Sequence, residues 1–202
     1  MIWVPGTVHL RLRNPDHEKS APGPRSRGWL APFGVRRPRG YPHRARQHPY
    51  GSWAVQTITV AVGWVHSQNP NLDFAFLTVT PPPGTWRPIQ FVTGGLRLGI
   101  NAGYAHPIYV IGYNDTDDQP IGCATTSFKF ETDQMKFYCN AFWDGTSGGP
   151  WIVHYNRVTG SGIVIGDIGG YEQGGDYPWA SYSAYYSWPI LRLFLQAQHQ
   201  QT

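Results

Sequence analysis

From residue 53 onward the chain alternates short apolar, β-branched runs with turns rich in Gly, Asn and Asp. Residues 53–62 (Trp-Ala-Val-Gln-Thr-Ile-Thr-Val-Ala-Val) predict a strand. Residues 74–79 predict a second, stopped by Pro81-Pro82-Pro83-Gly84, and residues 107–113 a third. Further strands are expected at 128–130, 135–142, 150–155, 162–169 and 180–185. Short strands at this spacing indicate an antiparallel sandwich or barrel. Near the end, Ile190, Leu191, Phe194, Leu195 and Gln198 fall at helical spacing within residues 188–199. That pattern predicts a terminal helix docked on the sheet. No internal repeat is visible.

Residues 1–48 have a different texture. They hold nine Arg, seven Pro, five Gly and four His, and neither a period of 2 nor one of 3.6 survives there. The stretch reads as coil and as a disordered leader. It carries a net +8, while residues 49–202 carry −4, so the overall +4 belongs to one quarter of the molecule. Met1-Ile2-Trp3-Val4-Pro5 shows neither the basic nor the apolar region of a secretory signal. Across the whole chain, charged residues are 14% and aromatics 15%, the reverse of a solvated disordered composition. No apolar run approaches the roughly 18 residues of a helical membrane span.

The sharpest local motif is Asp144-Gly145-Thr146-Ser147-Gly148-Gly149-Pro150-Trp151. A serine between glycines allows a tight turn that presents Oγ and gathers backbone N–H groups in a small space. Acyl transfer uses that combination of nucleophile and oxyanion donors. An ordinary Gly-rich hairpin is the alternative reading of the same residues.

This segment resembles the nucleophile loop of the trypsin/chymotrypsin-like serine proteases, and its wording is closer to the secreted bacterial branch that includes the glutamyl endopeptidases. The residue before the serine is Thr146, where the digestive branch usually has Asp, so activation through an ion pair to that Asp does not carry over. Asn71-Leu72-Asp73-Phe74-Ala75-Phe76-Leu77 resembles the family's Asp-x-Ala-x-Leu segment, whose Asp orients the catalytic histidine. Gly166-Asp167-Ile168-Gly169-Gly170 resembles the strand that walls the primary specificity pocket, which implies Ile168, Gly169 and Gly170 as wall residues. Asp167 could favour a basic substrate residue or point at solvent, and neither is preferred. Ser181-Tyr182-Ser183-Ala184-Tyr185 with the following helix resembles the end of the second barrel.

The resemblance covers roughly residues 50–198. It implies an all-β fold of two antiparallel β-barrels, chymotrypsin-like, with an incomplete first barrel at 49–103 and a second barrel with a short C-terminal helix at 104–202. The implied activity is serine endopeptidase, with Ser147 as nucleophile and Asp73 as orienting carboxylate. Gly145 and Ser147 N–H groups would form the oxyanion hole. No cofactor and no metal is implied. The partner is a polypeptide substrate met by a monomer, without a membrane. Cys123 and Cys139 agree with the resemblance as a disulfide bracing the base of the nucleophile loop, and so with a secreted protein. Two free thiols or a zinc site are the alternatives, and two cysteines without a second pair make a poor zinc signature.

One part is missing. The resemblance implies a histidine in a Thr-Ala-Ala-His-Cys segment about 45 residues before Asp73. No such segment exists, and no histidine lies between His17 and His43. His9, His43, His66, His106 and His154 offer no match, so the catalytic histidine is left unassigned. The gap coincides with the compositional break. Residues 1–48 are therefore expected to be an altered segment, such as an out-of-frame reading of a GC-rich gene, and this chain to show little or no proteolysis. Two other readings stand beside it: a pseudoprotease acting as an all-β binding module with an aromatic-rich face, and a basic arm that binds nucleic acid. The near absence of Lys and of a stacking platform in the arm disfavours the latter.

Overall fold

The computed structural model describes residues 53–199 except Thr116 and Asp118. The expectations for residues 1–48 lie outside the described residues, as do His9, His17, His43 and His48.

Two strand systems follow one another along the chain. The first is an antiparallel pair, β1 (Ala54–Val60) with β2 (Ala75–Thr80). Between them come a short helix α1 (Val62–Ser67) and a 3-10 turn (Pro70–Leu72) that delivers Asp73 to the start of β2. Helix α2 (Ile89–Thr93) and the two-residue β3 (Arg97–Leu98) lead to the second system. There β4 (His106–Gly112), β5 (Ile121–Glu131), β6 (Gln134–Tyr138), β7 (Pro150–Asn156), β8 (Ser161–Asp167) and β9 (Ala180–Ala184) lie in the order β8-β7-β4-β5-β6-β9. Strand β3 adds to the β8 edge in parallel, an exception to the otherwise antiparallel pairing. The two ends, β8 and β9, meet at a seam rather than a ladder. Asp167 N–H donates to Ser183 Oγ at 3.0 Å, and Gly169 N–H donates to the Tyr182 carbonyl at 3.0 Å. Helix α3 (Trp188–His199) closes the chain. The all-β expectation with a terminal helix holds, and among the described residues the part of the chain before β4 contributes the β1–β2 pair and β3.

Two buried clusters organise these strands. Val110, Cys123, Met135, Phe137, Trp151 and Ile165 fill the interior of the larger sheet. Phe74, Ile152, Val164, Tyr186, Ile190 and Leu193 form the second cluster, between the first lobe, the outer face of β7 and β8, and α3. Strand β7 serves both clusters, with Trp151 and Val153 on one side and Ile152 on the other. Its sequence therefore reads as a continuous apolar run rather than an alternating one.

Several boundaries differ from the sequence expectation, each for a local reason. The strand expected at 53–62 stops at Val60 because the chain turns into α1, which ends at Gln68 in a left-handed conformation (φ 50°). No apolar stripe announces α1, since Val62 and Val65 are exposed. The strand expected at 135–142 ends at Tyr138, where Cys139 leaves the ladder to join Cys123. Conversely, 128–130 grows into the eleven-residue β5, whose polar run Thr125-Thr126-Ser127 hid the continuity. The buried face of α3 is Ile190, Leu193 and Ala197, whereas Leu195 and Gln198 are exposed.

Candidate active site

Ser147 lies on the turn between Cys139 and β7, and its own residue is exposed. Three features fix that turn. Gly145 has φ 98°, and a Cβ there would overlap the backbone and carboxylate of Asp115, so only glycine fits. Thr146 is buried and donates its hydroxyl to the Trp143 carbonyl at 2.8 Å. The acid expected at this place in digestive enzymes is thus replaced by a side chain satisfied within its own turn. Asn114 holds the approach to the turn: its Oδ1 accepts from Trp143 N–H at 2.9 Å, and its Nδ2 donates to the Ala141 carbonyl at 3.2 Å.

The amides of the turn divide into two sets. Thr146 N–H donates to the Trp143 carbonyl, Gly148 N–H to Ile168, and Gly149 N–H to Thr146. The N–H groups of Gly145 and Ser147 make no hydrogen bond to a described residue. These two donors, without an acceptor among the described residues, are the ones the resemblance implied would face an oxyanion.

Asp73 reaches the same place from the first lobe. Segment 168–170 is zipped to the nucleophile turn on one side, since Gly148 N–H donates to the Ile168 carbonyl at 2.8 Å and Ile168 N–H donates to the Gly149 carbonyl at 2.9 Å. On the other side Gly170 N–H donates to Asp73 Oδ2 at 2.8 Å. Ser147 and Asp73 therefore flank one three-residue strip, Ile168-Gly169-Gly170. The side chain of Ile168 itself packs in the interior cluster. Burial raises the Asp73 carboxyl above its ordinary range, and the Gly170 N–H opposes that rise.

Gln134 locks the strip further, a role that its sequence context did not signal. The side chain is fully buried. Its Oε1 accepts from Tyr171 N–H at 3.1 Å, and its Nε2 donates to Asn71 Oδ1 at 2.7 Å. Gly170 adopts φ 78°, and a Cβ there would lie 2.5 Å from Gln134 Oε1. One amide thereby ties the loop before Asp73 to the strip beside Ser147.

The Asp167 side chain, left open between two directions in the sequence, has a buried carboxyl oxygen. The residue is half-buried as a whole, yet its Oδ1 is sealed and has no hydrogen-bond partner. Its carboxyl hydrogen-bonds with Tyr186, which is buried too. Burial, then the charge of Asp73, push Asp167 up to about 7, and the Tyr186 hydroxyl works in the opposite direction. Tyr186 is raised well above the usual phenol range, first by burial and then by the Asp167 charge.

The cysteine expectation holds in the structure: Cys123 on β5 and Cys139 just after β6 form a disulfide with Cα atoms 6.6 Å apart. No described histidine completes the set. His106 contacts the Ala102 carbonyl at 2.6 Å through Nε2, and His66 and His154 are exposed. Among the described residues none hydrogen-bonds to Asp73 through an imidazole. Among those residues there is also no group of His, Cys, Asp and Glu suited to a metal ion.

The architecture has close counterparts among solved proteins. The chain superposes on the protease Anisep from Arthrobacter nicotinovorans with a TM-score of 0.62 and 21% identity, covering 75% of this chain and 69% of that one. The thermostable serine protease AL20 from an extremophilic microorganism gives 0.60 and 20%, covering 73% and 68%. A Glu endopeptidase gives 0.59 and 13%, covering 74% and 66%. No family model and no curated protein matches the sequence. The fold is that of the trypsin/chymotrypsin-like serine proteases.

Proposed function

We propose that the chain is a serine-type endopeptidase scaffold in which Ser147 attacks a peptide carbonyl. The observation that carries this reading is the division of amides in residues 145–149. Among the described residues no acceptor takes the N–H groups of Gly145 and Ser147, on either side of Thr146, while the neighbouring amides are bonded. Two such donors stabilise a tetrahedral oxyanion, and losing one typically costs about 2.7–4 kcal/mol of barrier. Asp73 is the carboxylate that orients an imidazole and stabilises its charged form. The backbone strip Ile168-Gly169-Gly170 is one wall of the substrate site. A polypeptide is the substrate, the protein acts as a monomer, and the disulfide supports an oxidising, extracellular compartment.

Without an imidazole at Asp73, and none of the described residues supplies one, Ser147 would be a weak nucleophile and reaction of the chain alone would be slow. A fluorophosphonate probe with added free imidazole tests the site. Labelling that needs Ser147 and rises with imidazole supports the reading. Fast labelling without added imidazole would instead mean that a histidine of this chain supplies the base. Absence of Ser147-dependent labelling under both conditions would discard the enzyme reading.

That last outcome would favour a binding module on the same fold. The observation behind this second reading is a row of exposed rings: Tyr138 stacks on Trp179 at 6.0 Å, and Trp179 on Tyr177 at 5.3 Å. A basic arm for nucleic acid would rest on residues 1–48 alone.

A further inference from the structure

Behind the Gly169–Gly170 strip lie three ionisable groups from three different elements. Asp73 enters from the loop before β2, Asp167 from the end of β8, and Tyr186 from the turn before α3. Each is held in place. Asp73 Oδ2 accepts from Gly170 N–H at 2.8 Å. The Asp167 backbone N–H donates to Ser183 Oγ at 3.0 Å, and its side chain bonds with Tyr186. The Tyr186 ring packs edge-on against Phe74 with centroids 6.1 Å apart, and its carbonyl accepts from Asn101 N–H at 2.8 Å. No Lys, Arg or His of the described residues pairs with either carboxyl.

Asp73 Oδ2 lies 3.2 Å from where a Cβ on Gly169 would stand, two residues from Asp167, whose own Oδ1 is sealed from water. Two neighbouring carboxyls without a cation cannot both ionise cheaply, because the second charge meets the first in a low dielectric. The asymmetry between them follows from their contacts. Asp73 accepts a backbone N–H, which favours its charged form, whereas Asp167 Oδ1 is sealed with no donor. We infer that Asp167 is a positioning residue for Asp73: the two form a buried carboxyl pair in which Asp167 holds the proton and Asp73 carries the charge. Tyr186 completes the compartment as hydrogen-bond partner of Asp167. The rise of Asp167 to about 7, caused by burial and by Asp73, agrees with that division. Ionising Asp167 would place a second negative charge behind Asp73 and so change how strongly Asp73 stabilises an imidazolium.

The consequence for catalysis rests on the proposed role of Ser147 and Asp73, whereas the pair itself does not. Carbon-13 NMR of aspartate carboxyls in the full chain, titrated from pH 4 to 9, reads the pair directly. Two linked steps are expected, the upper one near 7 and absent in Asp167→Asn. Asp73→Asn should shift that step downward by removing the repelling charge, and Tyr186→Phe should shift it upward. An Asp167 step below pH 5, or one indifferent to Asp73→Asn, would overturn the inference. Imidazole-supported labelling of Ser147 supplies the second readout: the wild-type pH profile should contain an inflection near 7 that Asp167→Asn loses. If labelling occurs and the two profiles superimpose, the positioning role fails while the serine site stands. If no variant is labelled, the serine site fails and the carboxyl titration alone decides the pair.

Discussion

Replacing Gln134 by Met tests whether the two lobes are held in register by a single amide. Methionine keeps the length and most of the volume of glutamine, so the cavity contribution is small. What it removes is two hydrogen bonds, to Tyr171 N–H and from Nε2 to Asn71 Oδ1. Both partners are only half-buried, so water can reach part of each once Gln134 is gone. Their loss is therefore placed at the lower end of the range for orphaned polar groups, about 1 kcal/mol each and about 2 kcal/mol together. At this chain length that corresponds to a fall in Tm of about 4–8 °C. Urea denaturation of Gln134→Met, Asn71→Ala and the double variant gives the coupling between the side chains. A coupling of about 1 kcal/mol is expected. Strict additivity within about 0.3 kcal/mol, or a loss below 0.5 kcal/mol in Gln134→Met, would show that the amide does not bridge the lobes. Labelling of Ser147 in the presence of imidazole should also fall in this variant, because Asp73 loses its fixed approach to the strip.

Stability should depend on pH through Asp167. Its folded carboxyl titrates near 7 against 3.8 for the ordinary group, so the native state binds the extra proton between those values. Stability is then greatest below about pH 4 as far as this group is concerned. It declines as pH rises toward 7 by up to about 1.4 kcal/mol per unit, and levels above 7. Urea titrations at stepped pH should show that decline, and Asp167→Asn should flatten most of it. The raised Asp73 carboxyl acts in the same direction, so some slope should remain. Removing the disulfide as Cys123→Ala with Cys139→Ala should cost about 3 kcal/mol for a loop of this size, read as a drop in thermal midpoint. Unchanged stability would mean that the loop is fixed by its other contacts. Gly145→Ala should lose about 1–2 kcal/mol from its left-handed backbone alone, with overlap against Asp115 added, and should abolish Ser147 labelling. An active, equally stable Gly145→Ala protein would contradict the described turn.

The parts of the candidate site proposed from the sequence are those whose signal is local. Ser147 sits in its own glycine turn, and Asp73 opens its own strand, so a few neighbouring residues carry the signal. Gln134 was not visible because its partners are Asn71 and Tyr171, 63 and 37 residues away. Asn114 was hidden for the same reason, since it acts on residues 141–143. Asp167 was left open because strand alternation offers two faces. At the β8–β9 seam, the partner of its side chain comes from a third element, Tyr186. The strands were legible wherever one face is apolar. Helix α1 was not, since its apolar residues stay exposed and its end is set by the left-handed Gln68.

The terminal helix has a consequence for the order in which the protein can assemble. Phe194 on α3 packs against Phe76 on β2 with ring centroids 5.4 Å apart, and Ile190 and Leu193 share a cluster with Phe74. The strand behind Asp73 is thus completed by residues made more than a hundred positions later. During synthesis the β1–β2 hairpin emerges early, yet an isolated hairpin is marginal in water. Such long-range closure is slow and leaves unpaired strands exposed in the interval. The ribosome must therefore release the chain through α3 before the carboxylate side of the site can set. Termination before Ile190 would remove the residues of α3 that pack against Phe74 and Phe76.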